Sequence, residues 1–165
     1  MSGEIKPFPA KTKAEDRLAL DHYLPYRLSV ASNAVSRLIA RAYEDRFGLS
    51  IPQWRLMAVL AEDGALTPGA IVARTAMDKV TVSRAAHGLI RRHLIARDAH
   101  EADGRSHRLS LTHEGVRLHG DIAPLALAYE AALLSGLAPG EVTALKLLLK
   151  RLEAAANRLS GEGQA

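Results

Sequence analysis

The sequence predicts a mainly α-helical protein: a winged helix-turn-helix with a two-stranded β-wing, carried between long N- and C-terminal helices. Three observations lead there. Aromatics make up only 4% of the 165 residues while Ala and Leu abound, a balance whose backbone propensities favour helix. Apolar residues recur at three-and-four spacing towards both ends of the chain, as on one face of a helix. Between those ends, residues 67–112 read as a short helix, a second helix opening Asp78-Lys79-Val80-Thr81-Val82-Ser83-Arg84, and two short strands around Asp103-Gly104-Arg105.

Residues 1–20, with Pro7, Pro9 and scattered lysines, lack a core-forming pattern and are expected to be a flexible N-terminal arm. Residues 21–165 are then one domain, well supplied for a core by 48% hydrophobic content. Its first helix runs from Tyr26 to Phe47, with Leu28, Ala31, Ala34, Val35, Leu38 and Ala42 on one face. Pro25 fits the first turn and Gly48 supplies the stop. Ser50-Ile51-Pro52 opens the next helix, Gln53 to Glu62, and Asp63-Gly64 closes it. Thr67-Pro68-Gly69 repeats the device for a short helix through Arg74, with Ile71 and Val72 inward. Asp78 caps the helix that follows, where Val82, Ala85, Ala86 and Leu89 face the core. Leu94 to Arg97 and Arg108 to Leu111 form a hairpin with a long polar tip. Thr112-His113-Glu114 opens a further helix, which Pro124 should bend, and Ala138-Pro139-Gly140-Glu141 opens the last.

Charge is distributed unevenly. Residues 1–66 carry 9 Lys+Arg against 8 Asp+Glu, residues 67–110 carry 8 against 4, and residues 111–165 carry 5 against 6. The net surplus of +4 therefore lies in the winged segment, the electrostatic footprint expected of a double-stranded DNA partner. On that reading Lys79, Val80, Thr81, Ser83, Arg84 and His87 occupy the groove-facing side of the reading helix, and Thr67 at the head of the preceding helix joins them. The hydroxyls reach phosphates or base edges, Val80 a thymine methyl, and Arg84 a guanine edge or a phosphate. At the wing, Arg105 enters a minor groove beside Ser106, Arg108 meets a phosphate, and Asp103 orients the loop or pairs with an arginine. The competing accounts are a solvated helix face and a flexible charged loop.

The outer helices, 21–48 and 113–160, hold too much Leu to be satisfied by the winged unit of residues 50–112. They are expected to be dimerisation helices of a homodimer, which would set two reading helices about 34–36 Å apart for a palindromic site.

The run Asp103-Gly104-Arg105-Ser106-His107-Arg108-Leu109-Ser110-Leu111-Thr112 resembles the D-x-R-x-x-x-x-x-L-T wing signature of the MarR family of bacterial transcriptional regulators. Thr81-Val82-Ser83-Arg84 is similar to its recognition-helix motif, and Gln53-Trp54-Arg55 and the two closing helices also match; the likeness spans roughly residues 20–160. The resemblance implies a homodimeric winged-helix repressor, less often an activator. It also implies release from DNA when a phenolic or other aromatic compound binds between the dimerisation helices and the winged unit. By that analogy His22, Tyr23, Tyr26, Arg27, Asn33, Trp54 and Arg55 are the ligand candidates, suited to an aromatic carboxylate or its coenzyme A thioester; each is equally readable as a dimer-interface residue. The chain departs from the family in three places. His93 stands where Gly is usual and must take a positive φ. Gly88 lies inside the reading helix at about 1 kcal/mol against Ala, and Ile90 replaces a polar residue.

Rival functions find less support. There are no cysteines, which removes disulfides, thiolate metal sites and thiol-based sensing. A metal-responsive regulator using His100, His107, His113 and His119 with nearby carboxylates is the alternative within the same class, but the spacing fits no metal motif, so no metal or cofactor is expected. The chain lacks a phosphate loop, an H-E-x-x-H pair and a G-x-S-x-G elbow, so an enzyme is not expected. A helical dimer that binds only protein leaves the local charge without a purpose. With no signal-peptide run and no apolar membrane span, the chain is read as cytoplasmic without a membrane partner.

Overall fold

The computed structural model describes residues 18–99 and 107–161. In order they form a 3-10 turn (Leu20–His22), α1 (Leu24–Phe47), α2 (Ile51–Asp63), α3 (Pro68–Thr75), α4 (Lys79–Arg91), β1 (Ile95–Ala99), β2 (His107–Leu111), α5 (His113–Leu134) and α6 (Pro139–Gly161). This is the winged helix-turn-helix between long terminal helices that the sequence predicts.

Side chains at the helix ends set the boundaries. Gly48 takes φ 61° and turns its N–H back to the carbonyls of Glu44 and Tyr43, closing α1. The Ser50 N–H donates to Gln53 Oε1 at 2.9 Å, and α2 begins at Ile51, directly after the Ser50 cap, with Pro52 in its first turn as the sequence indicates. The Thr67 hydroxyl accepts from Ala70 N at 3.3 Å, the Asp78 carboxylate from Thr81 N at 2.8 Å, and the Thr112 hydroxyl from Gly115 N at 3.0 Å. Each supplies an acceptor to an amide that would otherwise have none. The hairpin is antiparallel, Ile95 opposite Leu111 and Ala99 opposite His107.

The core lies where α2, α4, α5 and the hairpin converge. Leu49, Leu56, Met57, Ile71, Leu89 and Ile122 are fully buried there. From α4 it takes Val82, Ala85, Ala86 and Leu89, the set that the periodicity marks. Ile90 also packs against this core, which accounts for an apolar residue at that position. Gly88 lies at a close approach to α2. A Cβ there would come within 2.4 Å of Gln53 Nε2, and the other end of that amide is already held by Ser50.

Two features have no counterpart in the sequence pattern. Leu66, in the connection between α2 and α3, exchanges two backbone hydrogen bonds with Leu109, at 3.0 and 2.8 Å. This isolated bridge ties the approach to α3 onto the second strand of the wing. Ala76 ends α3 at φ 53°, a left-handed conformation that costs a residue with a Cβ roughly 1–2 kcal/mol. Ala76→Gly should therefore raise stability by about 0.5–1 kcal/mol after the extra backbone entropy of glycine is deducted, read as a higher urea midpoint at unchanged slope. His93, at φ 54°, adopts the positive φ expected of it.

The turn at His93 is the meeting point of three elements. The Thr112 hydroxyl donates to the His93 carbonyl at 2.7 Å, and Thr112 N donates to the Leu94 carbonyl at 3.1 Å. Buried Gly115 lies directly on that carbonyl: a Cβ would fall 2.0 Å from Leu94 O and 3.0 Å from Leu94 C. The end of α4, the start of β1 and the first turn of α5 are thereby locked together.

The outer helices are bare by comparison. α6 has no buried residue, and α1 buries only Ala42 and Tyr43. On α1, Leu28 and Leu38 are exposed, as are Leu145, Leu147, Leu148, Leu149, Leu152 and Leu159 on α6. Among the described residues no single helix is long and apolar enough to cross a membrane.

Candidate nucleic-acid interface

The site is built on α3, α4 and the hairpin. The Asp78 carboxylate receives both the backbone N–H of Thr81 and, at 2.7 Å, its hydroxyl. These bonds hold the Asp78 carboxyl below the ordinary carboxylate range, with the side-chain bond to Thr81 the leading cause. They also commit the Thr81 hydroxyl to the cap. The hydroxyl of Thr67, half-buried, is similarly engaged at the start of α3.

Lys79, Val80, Ser83, Arg84 and His87 are exposed on α4. One turn apart, Ser83 and His87 are joined: His87 Nδ1 lies 2.8 Å from the Ser83 carbonyl oxygen. Between α4, the start of α3 and the hairpin opens a cavity of about 470 Å³, with Lys79, Ser83, His87, Arg97 and His107 around a floor that includes Val72, Val82 and Leu109. Arg97 and His107, which the sequence reading did not include among the contacts, thus stand beside the reading helix. Arg108 is exposed at the base of the wing. Arg105 and Ser106 lie outside the described residues, as do His100, Glu101 and Asp103.

The positive charges of this region divide into two groups. Arg74 pairs with Glu62 and Asp63 at 3.1 and 3.0 Å, tying α3 to the end of α2. Arg92 donates to the carbonyls of Gly48 and Phe47 at 2.8 and 2.9 Å, clamping the end of α4 to the end of α1. Lys79, Arg84, Arg91, Arg97 and Arg108 are exposed and form no ion pair among the described residues. Five exposed cations on one helix and its adjoining hairpin, none in an ion pair among the described residues, form a surface complementary to a polyanion.

A second cavity, about 580 Å³, is lined by Leu28, Ala31, Ser32, Val35, Ser36 and Ile39 of α1, Ile51, Trp54 and Arg55 of α2, and Leu145 and Leu149 of α6. Of the ligand candidates, Trp54 and Arg55 line it. His22, Tyr23, Tyr26, Arg27 and Asn33 do not; all five are exposed. Trp54 is gripped from two sides. Tyr43 tilts against it at 5.2 Å between ring centroids, and His119 of α5 stacks on it at 5.3 Å and 15°.

That stack settles the surroundings of one histidine of the candidate metal cluster. His119 packs against an indole, His113 is exposed at the head of α5, and no group of three metal-ligating side chains occurs among the described residues. Desolvation holds the His119 imidazole below its ordinary 6.5. As the pH falls through about 6.5, the unfolded chain takes up a proton that the folded ring resists, so stability must decline just below that value. His119→Phe should remove this part of the pH dependence, measured as urea midpoints between pH 8 and 5.

The fold and this exposed cationic helix define a winged-helix DNA-binding protein. A sequence model of the MarR family matches residues 47–106. Among solved structures the chain is similar to a probable transcriptional regulator from Pseudomonas aeruginosa, at 31% identity and TM-score 0.71, covering 81% of this chain and 99% of that one. It is similar to a MarR/EmrR family transcriptional regulator from Acinetobacter sp. ADP1, at 25% identity and TM-score 0.80, covering 86% and 99%. It is also similar to BpsR of Bordetella bronchiseptica, whose DNA binding is regulated by 6-hydroxynicotinic acid, at 26% identity and TM-score 0.73, covering 79% and 98%. No curated protein matches the sequence. The chain belongs to the MarR family, whose members are transcriptional regulators.

Proposed function

We propose that the protein is a homodimeric, ligand-responsive repressor that binds a palindromic operator through α4 and the wing. The observation that carries the reading is the group of five exposed cations on α4 and the hairpin, none of them in an ion pair among the described residues. Lys79, Val80, Ser83, Arg84 and His87 would face the major groove, with Thr81 contributing its methyl and its neighbouring backbone. Arg108 would reach a phosphate beside Arg105 and Ser106 of the tip.

The outer helices, 21–48 and 113–160, would join the two copies. Each leucine side chain fully withdrawn from water contributes about 1.5–3 kcal/mol, and the bare faces of α1, α5 and α6 offer many. Leu127 and Leu133 of α5 are 64% and 47% exposed. A second copy laid against them satisfies these faces and gives the two-fold symmetry of a palindrome.

For the effector, the cavity between α1, α2 and α6 has the volume of a small-molecule site. Its walls are largely apolar and, among the described residues, Arg55 is its one cation, a combination suited to an aromatic acid or its thioester. The regulation of BpsR by 6-hydroxynicotinic acid, itself an aromatic acid, is in keeping with this class. A ligand wedged there would alter the packing of α1 and α6 on α2 and so the separation of the two reading helices.

The test is selection of bound sequences from a random duplex library, followed by the stoichiometry of the complex. Two chains on a palindromic sequence are expected; one chain on an asymmetric sequence would refute the dimeric reading. Titrating the complex with hydroxylated benzoic and nicotinic acids then tests the effector. If none of them shifts the affinity, the aromatic-acid assignment fails while the DNA reading stands.

A further inference from the structure

We infer that His87 determines specificity by accepting a hydrogen bond from an exocyclic base amine, adenine N6 or cytosine N4, in the major groove. This rests on the DNA-binding reading above and names the base chemistry that one of its side chains selects.

His87 Nδ1 lies 2.8 Å from the Ser83 carbonyl oxygen. A carbonyl oxygen can only accept, so Nδ1 carries the hydrogen. In the neutral ring that leaves Nε2 as a lone-pair acceptor. Nε2 makes no hydrogen bond among the described residues, and the side chain is exposed on the outward side of α4. A free imidazole could change tautomer and offer either a donor or an acceptor. The bond to Ser83 fixes the tautomer and limits the ring's rotation before DNA arrives, which reduces the entropy lost on binding.

The neighbours make this acceptor distinctive. Lys79 on the same helix and Arg97 on the hairpin are donor-only cations around the cavity that His87 borders, and Arg84 and Arg91 are donor-only cations on α4. Ser83 and His107 complete the rim and can serve either way. Guanine N7 and O6 and thymine O4 are acceptors, so they suit the cations and would set lone pair against lone pair at His87 Nε2. Adenine and cytosine present an amine there, and among the described groove-facing groups His87 is the one whose tautomer is fixed to receive it.

The experiment is selection from a random duplex library at pH 8 with the parent protein, His87→Ala and His87→Lys. The parent should enrich adenine or cytosine at one position of each half-site. Replacing that base by guanine or thymine should weaken binding about tenfold, within the range for a base-edge contact. His87→Ala should lose the preference at that position alone, and His87→Lys, a donor, should turn it towards guanine. Substituting the base by its amine-free analogue should weaken the parent about tenfold and His87→Ala less than about twofold. If His87→Ala enriches the same bases at every position as the parent, the inference is overturned. If no protein enriches any sequence, the DNA reading itself falls with it, so the two failures are distinguishable.

Discussion

Gly115→Ala should destabilise the protein by about 3 kcal/mol, at the upper end of what overpacking costs. The reason is the position of the added methyl, 2.0 Å from the Leu94 carbonyl oxygen. A flexible side chain could move aside, but this obstacle is backbone. That same carbonyl receives Thr112 N at 3.1 Å, so neither α5 nor β1 can retreat without breaking the junction among α4, the wing and α5. Gly120→Ala, later in the same helix, is the control. Among the described residues nothing beyond its own turn of helix lies within 4 Å of its Cβ position, and helix propensity alone should raise stability by about 1 kcal/mol. Urea unfolding of both variants checks the pair. A Gly115→Ala protein within about 0.5 kcal/mol of the parent, the range of an ordinary surface substitution, would show that the junction is not tightly closed.

Arg84→Ala should weaken binding to the selected duplex by about 10- to 100-fold, corresponding to the roughly 1–3 kcal/mol of a bidentate base contact, with little effect on unfolding. Arg84 is exposed on the outward side of α4 and forms no ion pair among the described residues, so its removal leaves the core intact. The salt dependence identifies its partner. A phosphate contact contributes about −0.9 to the slope of log affinity against log salt, and its loss would weaken all sequences alike. A lost guanine contact would instead relax preference at one position. Equal affinity for parent and variant at every salt concentration would remove Arg84 from the interface.

How much could be read from the sequence follows the range of the interactions. The caps at Ser50, Thr67, Asp78 and Thr112 are legible because donor and acceptor lie three residues apart, and the buried stripe Val82, Ala85, Ala86, Leu89 because helical periodicity is local. The positive φ of His93 is legible through the family's glycine. Contacts between distant residues are not. Arg92 reaches the Gly48 carbonyl across 44 positions, Leu66 pairs with Leu109, and His119 stacks on Trp54, and no local pattern marks any of them. Gly115 looks like an ordinary early-helix glycine until α5 is laid against Leu94. Ala76 carries no local mark either, because alanine is a helix former and nothing in its residue type signals the left-handed turn that ends α3.

The candidate site divides in the same way. The polar side of α4 follows from periodicity, but that the Thr81 hydroxyl serves the Asp78 cap shows only in the folded chain. Among the ligand candidates, Trp54 and Arg55 lie on the side of α2 that meets α1, whereas the five from His22 to Asn33 occupy outward positions that helix periodicity alone does not separate.

If two copies of the chain present their α4 helices to one face of a duplex, one helical turn apart, hydroxyl-radical footprinting on the selected duplex will show it. Two protected patches with centres about 10–10.5 base pairs apart, related by the symmetry of the sequence, are the predicted result. A single protected patch on a saturated complex would contradict it.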